Sequence, residues 1–186
     1  MANGRTLMAL LTLTGCLVVA GGTQAQTPTP SGAFLQVGTT GHTHEGSAGV
    51  TWDWGDEWSA GRGRLTGLWE ISVSRWSYPA LDGRQAAWLG KFGVTPVFRY
   101  TPDAGTSAWF MEGGVGGNLT TTIYETERKR FSTRFNFGSH VGVGFEFGPG
   151  HQHELTLRAE HFSNAGIRHP NPGENFVQLR YAYHFR

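Results

Sequence analysis

Between residues 133 and 147 the chain alternates. Phe135, Phe137, Val141, Val143, Phe145 and Phe147 share one parity, while Arg134, Asn136, His140 and Glu146 share the other. A period of two is what a β-strand with one apolar and one polar face produces. The same two-faced pattern occurs at 33–41 (Leu35, Val37), 48–54 (Val50, Trp52, Trp54), 67–75 (Trp69, Ile71, Val73) and 88–100 (Trp88, Phe92, Val94, Phe98, Tyr100). It returns at 107–119 (Trp109, Met111, Val115, Leu119), 153–163 (Leu155, Leu157, Ala159) and 175–185 (Val177, Leu179, Tyr181, Tyr183, Phe185), which makes eight predicted strands. Beyond residue 30 nothing keeps a helical period, and no run reaches the roughly 18 apolar residues of a membrane helix.

The polar faces of these strands collect Asp53, Glu70, Glu112, Glu146, Glu154 and Glu160 against Lys91, Arg99, Arg134, Arg158 and Arg180. Alternation alone fits a soluble barrel with its apolar parity inside, or an inverted barrel with that parity facing lipid. Three features favour the inverted case. Arg5 precedes the apolar run LMALLTLTGCLVVA, and Thr23-Gln24-Ala25 suits cleavage after export. Aromatic residues gather near strand ends, and the last strand closes on alternating Tyr181, Tyr183 and Phe185, with Arg186 after them. The expectation is therefore a signal peptide over 1–25 and one domain over 26–186. That domain is all-β, an eight-stranded antiparallel transmembrane β-barrel in the bacterial outer membrane with a polar packed interior. Leu13-Thr14-Gly15-Cys16 also reads as a lipoprotein processing site, and a periplasmic ligand-binding barrel with an apolar interior is the rival architecture. With both ends in the periplasm, 42–47, 77–85, 120–131 and 164–174 become outer loops, and Pro102-Asp103-Ala104-Gly105 and Gly148-Pro149-Gly150 become periplasmic turns.

Composition narrows the chemistry. The 28 glycines and 13% aromatic residues suit tight turns and strands rather than helices. A formal net charge of +1, with one short basic patch at Glu127-Arg128-Lys129-Arg130, gives nucleic acid no surface to follow. Cys16 is the one cysteine, so a chain cleaved after Ala25 has neither disulfide nor thiolate chemistry.

One strand carries candidate chemistry. His161 and Ser163 share the parity of Leu155, Leu157 and Ala159, so a lipid-facing apolar parity puts both outside, at the outer end of the strand. Two residues apart on one face they lie about 6–7 Å apart, within reach of a histidine–serine hydrogen bond. On spacing alone, an interfacial pair that only bonds headgroups fits equally well. The stretch His161-Phe162-Ser163-Asn164-Ala165-Gly166-Ile167, with Pro170-Asn171 and Glu174 downstream, closely resembles the signature of the PagL-type outer-membrane lipid A 3-O-deacylases. The rest of the chain agrees with that family in length, export signal and strand number.

The resemblance implies hydrolysis of the ester-linked 3-hydroxyacyl chain at position 3 of lipid A by a Ser-His-Glu triad. Ser163 would be the nucleophile, His161 the general base and acid, and Glu174 the residue that orients His161. Asn164 and the backbone N–H near Gly166 would be oxyanion donors. Glu174 is even where the outward parity of the last strand is odd, so Asn175 remains an alternative orienting residue. Asn171 and His169 read as turn residues or headgroup contacts. The partner implied is lipid A in the membrane, with a homodimer left open. No cofactor or metal is called for, and His42-x-His44 and His151-x-His153 read as loop residues. The rival function is a non-enzymatic barrel, an adhesin or structural anchor, with its phenotype in the 120–131 loop.

Overall fold

The computed structural model describes residues 29–81 and 86–185. The expected export segment, with Cys16, lies outside the described residues. Eight strands follow in order: β1 (Gly32–Thr39), β2 (His44–Ala60), β3 (Gly63–Pro79), β4 (Ala86–Thr101), β5 (Trp109–Thr120), β6 (Phe135–Phe147), β7 (His153–Ser163) and β8 (Glu174–His184). Each pairs antiparallel with the next, and β8 pairs with β1, so the sheet closes and leaves no free edge. The connections after β2, β4 and β6 (61–62, 102–108 and 148–152) lie at one end, the short-turn end; those after β1, β3, β5 and β7 lie at the other, the long-loop end, where 121–134 and 164–173 are the longest described.

The pleat sorts side chains as the alternation requires. Along β8, Glu174, Phe176, Gln178, Arg180 and Ala182 are buried, and Asn175, Val177, Leu179, Tyr181 and Tyr183 are exposed. The exposed parity of the other strands is equally apolar, with Leu35, Val73, Met111, Val141 and Leu157 all more than half exposed. The inside is ionic, which rules out the rival barrel with an apolar interior.

A chain of alternating charge threads that interior. Arg158 donates to both oxygens of Glu70 (3.0 and 2.7 Å), and Glu70 also pairs with Arg180. From Arg158 Nε a 2.6 Å bond reaches Glu112, which pairs with Arg99 (2.8 Å), and Arg99 continues to Glu154 (2.8 Å). Between Lys91, His140, Arg158 and Glu160 a space of only about 30 Å3 remains, so the lumen is filled and not a channel.

Three details differ from the sequence reading. The first outer loop is 40–43 rather than 42–47, because β2 starts at His44; Glu45 therefore points inward and pairs with Lys91 at 2.8 Å. Arg134 is exposed at the edge of β6, donating to the Thr120 carbonyl (2.7 Å), and does not join the interior charges. Asp53 is exposed at a β-bulge where Trp54, Gly55 and Asp56 stand opposite Gly67 alone. That bulge lays the Trp54 ring over Gly67, where a Cβ would come within 2.0 Å of it, and against Trp69 (5.7 Å) and Phe98 (5.1 Å).

At the long-loop end the interior changes from ionic to aromatic. Trp76, Tyr78, Leu89, Phe162 and Phe176 from the wall meet Tyr124 and Phe131 from the β5–β6 connection. That connection is a small hairpin, closed by Phe131 N–H to the Tyr124 carbonyl (2.9 Å) and Thr126 N–H to the Lys129 carbonyl (2.8 Å), and it plugs the mouth.

Removing one member of a buried ion pair leaves an unpaired charge and costs about 3–5 kcal/mol, whereas an exposed pair contributes at most about 1 kcal/mol. Arg158→Met is therefore expected to destabilise the barrel by about 3–5 kcal/mol. Arg64→Met, which removes an exposed pair with Glu57 (3.0 Å), should cost less than about 1 kcal/mol. Urea unfolding in lipid vesicles, followed by the heat-modifiable migration of the folded barrel, compares the two.

Candidate active site

The outward parity of β7 runs Leu155, Leu157, Ala159, His161, Ser163, and that of β8 runs Asn175, Val177, Leu179. Antiparallel pairing sets His161 opposite Asn175 and Phe162 opposite Glu174 without interruption back to His153 and Tyr183. Across the wall, His161 Nδ1 and Asn175 Oδ1 lie 2.7 Å apart. An amide oxygen can only accept, so this bond fixes the proton of the neutral ring on Nδ1 and leaves Nε2 as a lone pair, with the amide orientation assigned from the bond itself. Ser163 follows on the same face, half-buried at the end of the strand.

Glu174, expected as the orienting carboxylate, points the other way. Strand pairing begins at Glu174 itself and no bulge intervenes, so its side chain enters the barrel mouth. There one oxygen accepts from Tyr124 OH (3.1 Å) and the other from Lys129 Nζ (3.0 Å). Burial, reinforced by the Glu174 charge, pushes the Tyr124 hydroxyl above the usual phenol range, so it remains a donor to that carboxylate. Tyr124 in turn is bonded to Thr43 Oγ1 at 2.7 Å. The side chain set against the His161 ring is that of the alternative, Asn175.

The connection 164–173 is built around Asn164, which is 1% exposed. Its side-chain amide donates to the Arg168 carbonyl (2.7 Å) and to Ser132 Oγ (3.0 Å), and its Oδ1 accepts from Gly166 N–H (3.0 Å). Both oxyanion donors expected from the sequence are thus committed to holding the loop. Ala165 and Gly166 both have positive φ, 54° and 78°, and the Ala165 N–H points at Ser163 Oγ from 3.4 Å. Asn171 Oδ1 accepts the Asn164 N–H at 3.0 Å, and the amide hydrogens of Asn171 have no partner among the described hydrogen bonds. Gly173 closes the loop at φ 67°, and a Cβ there would lie 2.7 Å from His161 Cε1. In the sequence Gly173 was one unremarked position of the expected 164–174 loop; the ring it backs onto was invisible there.

From His161 and Asn175 an open groove of about 770 Å3 crosses the outer wall towards β4. Gly113, Ser139 and Ala159 give it a low floor, with Phe98, Val115 and Val141 beside them. Of the four histidines read as loop residues, His44 and His153 instead open β2, which starts earlier than expected, and β7; His42 bonds Arg128 (2.9 Å), and His153 bonds Tyr181 OH (2.8 Å). Glu146, Glu154 and His184 do gather ligand atoms within 4.8 Å at the short-turn end, but the Arg99 guanidinium bonds both carboxylates there (3.5 and 2.8 Å) and occupies the place of a cation.

Residues 44–184 match the model of the family described as lipid A 3-O-deacylase (PagL). Lipid A deacylase PagL of Bordetella bronchiseptica is 31% identical over 98% of this chain and 97% of its own length. Lipid A deacylase PagL of Pseudomonas aeruginosa is 30% identical over 84% of this chain and 86% of its own. The crystal structure of the outer membrane enzyme PagL superimposes with a TM-score of 0.67 at 26% identity, covering 83% of this chain and 99% of that one.

Asn164→Ala removes three hydrogen bonds from the loop, two of them involving its neighbours' backbone, and one of those protects the Arg168 carbonyl. Losing them should raise the population of open loop on the order of 10-fold or more. Trypsin cleavage after Arg168 is expected to accelerate to match, while the barrel itself stays resistant; an unchanged nicking rate would show the loop to be held by other contacts.

Proposed function

The chain belongs to the PagL family of lipid A 3-O-deacylases, and we propose that it hydrolyses the 3-O-acyl ester of lipid A with Ser163, His161 and Asn175 on the outer, lipid-facing wall of the barrel. It is an outer-membrane enzyme, which sets aside the adhesin or anchor reading. The observation that carries the triad is the 2.7 Å bond between His161 and Asn175 on the face that Ser163 shares.

The chemistry follows from the proton positions. Ser163 Oγ attacks the ester carbonyl as its proton passes to His161 Nε2. The tetrahedral oxyanion takes hydrogen bonds from the Ala165 N–H and the Asn171 amide, a kind of contact worth on the order of 100-fold or more in rate. Collapse returns the proton from Nε2 to the departing 3-oxygen of the sugar and leaves the acyl group on Ser163. Water, deprotonated by His161, then releases the fatty acid and restores the serine. Asn175 Oδ1 holds the Nδ1–H throughout, as the amide does in Cys-His-Asn enzymes, but contributes a dipole where a carboxylate would contribute a full charge. The groove that starts at His161 is apolar and open, and it suits the scissile acyl chain.

Mass spectrometry of lipid A from cells expressing each variant tests this reading. Wild type should remove one acyl group from position 3 and Ser163→Ala none. Asn175→Ala is expected to slow release about 100-fold or more by freeing the ring, while Asn175→Asp keeps activity. Glu174→Gln should cost far less than Asn175→Ala; the reverse order would return the orienting role to Glu174. The groove makes a separate prediction. The outward side of Gly113 is open, with the nearest atoms at 3.4 and 3.9 Å from a Cβ, so Gly113→Leu should fold and should shift the released chains towards shorter ones. An unchanged chain-length distribution would place the acyl chain elsewhere.

A further inference from the structure

The hairpin between β5 and β6 reaches the candidate site from inside the barrel at three points. Lys129 Nζ donates both to the Gly173 carbonyl (2.9 Å) and to Glu174 Oε1 (3.0 Å). Ser132 Oγ donates to the Arg168 carbonyl (2.8 Å) and accepts from Asn164 (3.0 Å). Phe131 stacks on Phe162 at 5.9 Å, and Phe162 lies between His161 and Ser163 in the strand. Of these contacts the lysine pair bears most directly on the reacting groups. Gly173 and Glu174 immediately precede Asn175, and the Cα of Gly173 backs onto the His161 ring so closely that no side chain fits between them.

We propose that Lys129 is a positioning residue for the deacylation: by holding the Gly173 peptide and the Glu174 carboxylate together, it fixes the backbone against which the His161 ring rests and from which Asn175 reaches it. This rests on the reading of Ser163 and His161 as nucleophile and base. Lys129 touches neither reacting group. It acts through a peptide whose displacement by about 1 Å would misalign Nε2 with the serine oxygen, an error of the size that costs on the order of 100-fold in rate. Its role also gives Glu174 one: a carboxylate buried under the site, bonded to the lysine and to Tyr124, that anchors the start of β8.

The test uses the full-length protein folded in detergent, with two readouts. One is kcat and KM on purified lipid A. The other is the rate at which a small alkyl fluorophosphonate labels Ser163, a reaction in which the serine oxygen bonds phosphorus, fluoride leaves and His161 takes the serine proton. It needs the serine–histidine geometry but no lipid A. Lys129→Met should lower kcat and the labelling rate together by about 10- to 100-fold with KM little changed, and Lys129→Arg, which keeps donors in reach, should recover most of both. Lys129→Met with Glu174→Gln removes the two charges together, so that no unpaired carboxylate is left buried, and should be as slow as the single variant because Gly173 is still unheld.

An unaltered labelling rate with a raised KM would make Lys129 a contact for an anionic group of the substrate and overturn the proposal. Wild-type rates in the double variant would overturn it too, as would loss of the folded barrel in both Lys129→Met variants, which would make the lysine a folding residue. Failure of the underlying reading looks different: the wild type would not be labelled at Ser163, or Ser163→Ala would still deacylate lipid A.

Discussion

Glu70, Glu112, Arg158 and Arg99 sit in a space too narrow for bulk water, and each is held by partners of opposite sign. The rest of the molecule depends on that arrangement. Charges in such a site are tolerated only in complete sets, because a lone one would carry its full desolvation cost. Since neighbouring residues on a strand face opposite ways, committing one parity to the ionic set commits the other to the outer wall. An apolar outer wall needs a lipid surround, and closure of the sheet removes the unpaired edge that hydrocarbon would not satisfy. Every outward side chain, His161 and Ser163 included, owes its direction to this interior.

The site is thus assembled on a wall that is rigid for reasons unrelated to chemistry. His161 and Asn175 meet because β7 and β8 are in register, and that register is locked from behind by Arg158 and Arg180 lower in the barrel and by Phe162 and Phe176 at the mouth. What the barrel alone does not supply is a fixed end to the two strands. Asn164, Gly173 and the β5–β6 hairpin provide it, through hydrogen bonds that converge on backbone rather than on the side chains of His161 and Ser163.

Much of this was legible in the residues. The strands, their parity and the outward placement of His161 and Ser163 follow from a period of two, which is strong over long segments such as 133–147. Loop edges were less legible: Glu45 fell in the expected 42–47 loop because the alternation was read only from residue 48, although Gly46 and Ser47 already belong to β2. The choice between Glu174 and Asn175 turned on one residue of register. The parity of Val177 and Leu179 already pointed to Asn175, and the chemical preference for a carboxylate outweighed it. Asn164 shows a different limit. Its neighbours in sequence suggested an oxyanion donor, but its partners Ser132 and Arg168 come together only in the folded loops, and no local pattern announces them.

The position of Ser163 on the outside of the cylinder changes how such an enzyme meets its substrate. A lumen or a cleft is reached through water, where dilution governs encounter. A nucleophile on the outer wall, the role proposed for Ser163, would instead search in two dimensions, within a sheet of molecules that include its substrate. Concentration there is a mole fraction and is always high, so turnover by the proposed triad would be governed by what reaches it sideways and how fast the cleaved products drift off along the surface.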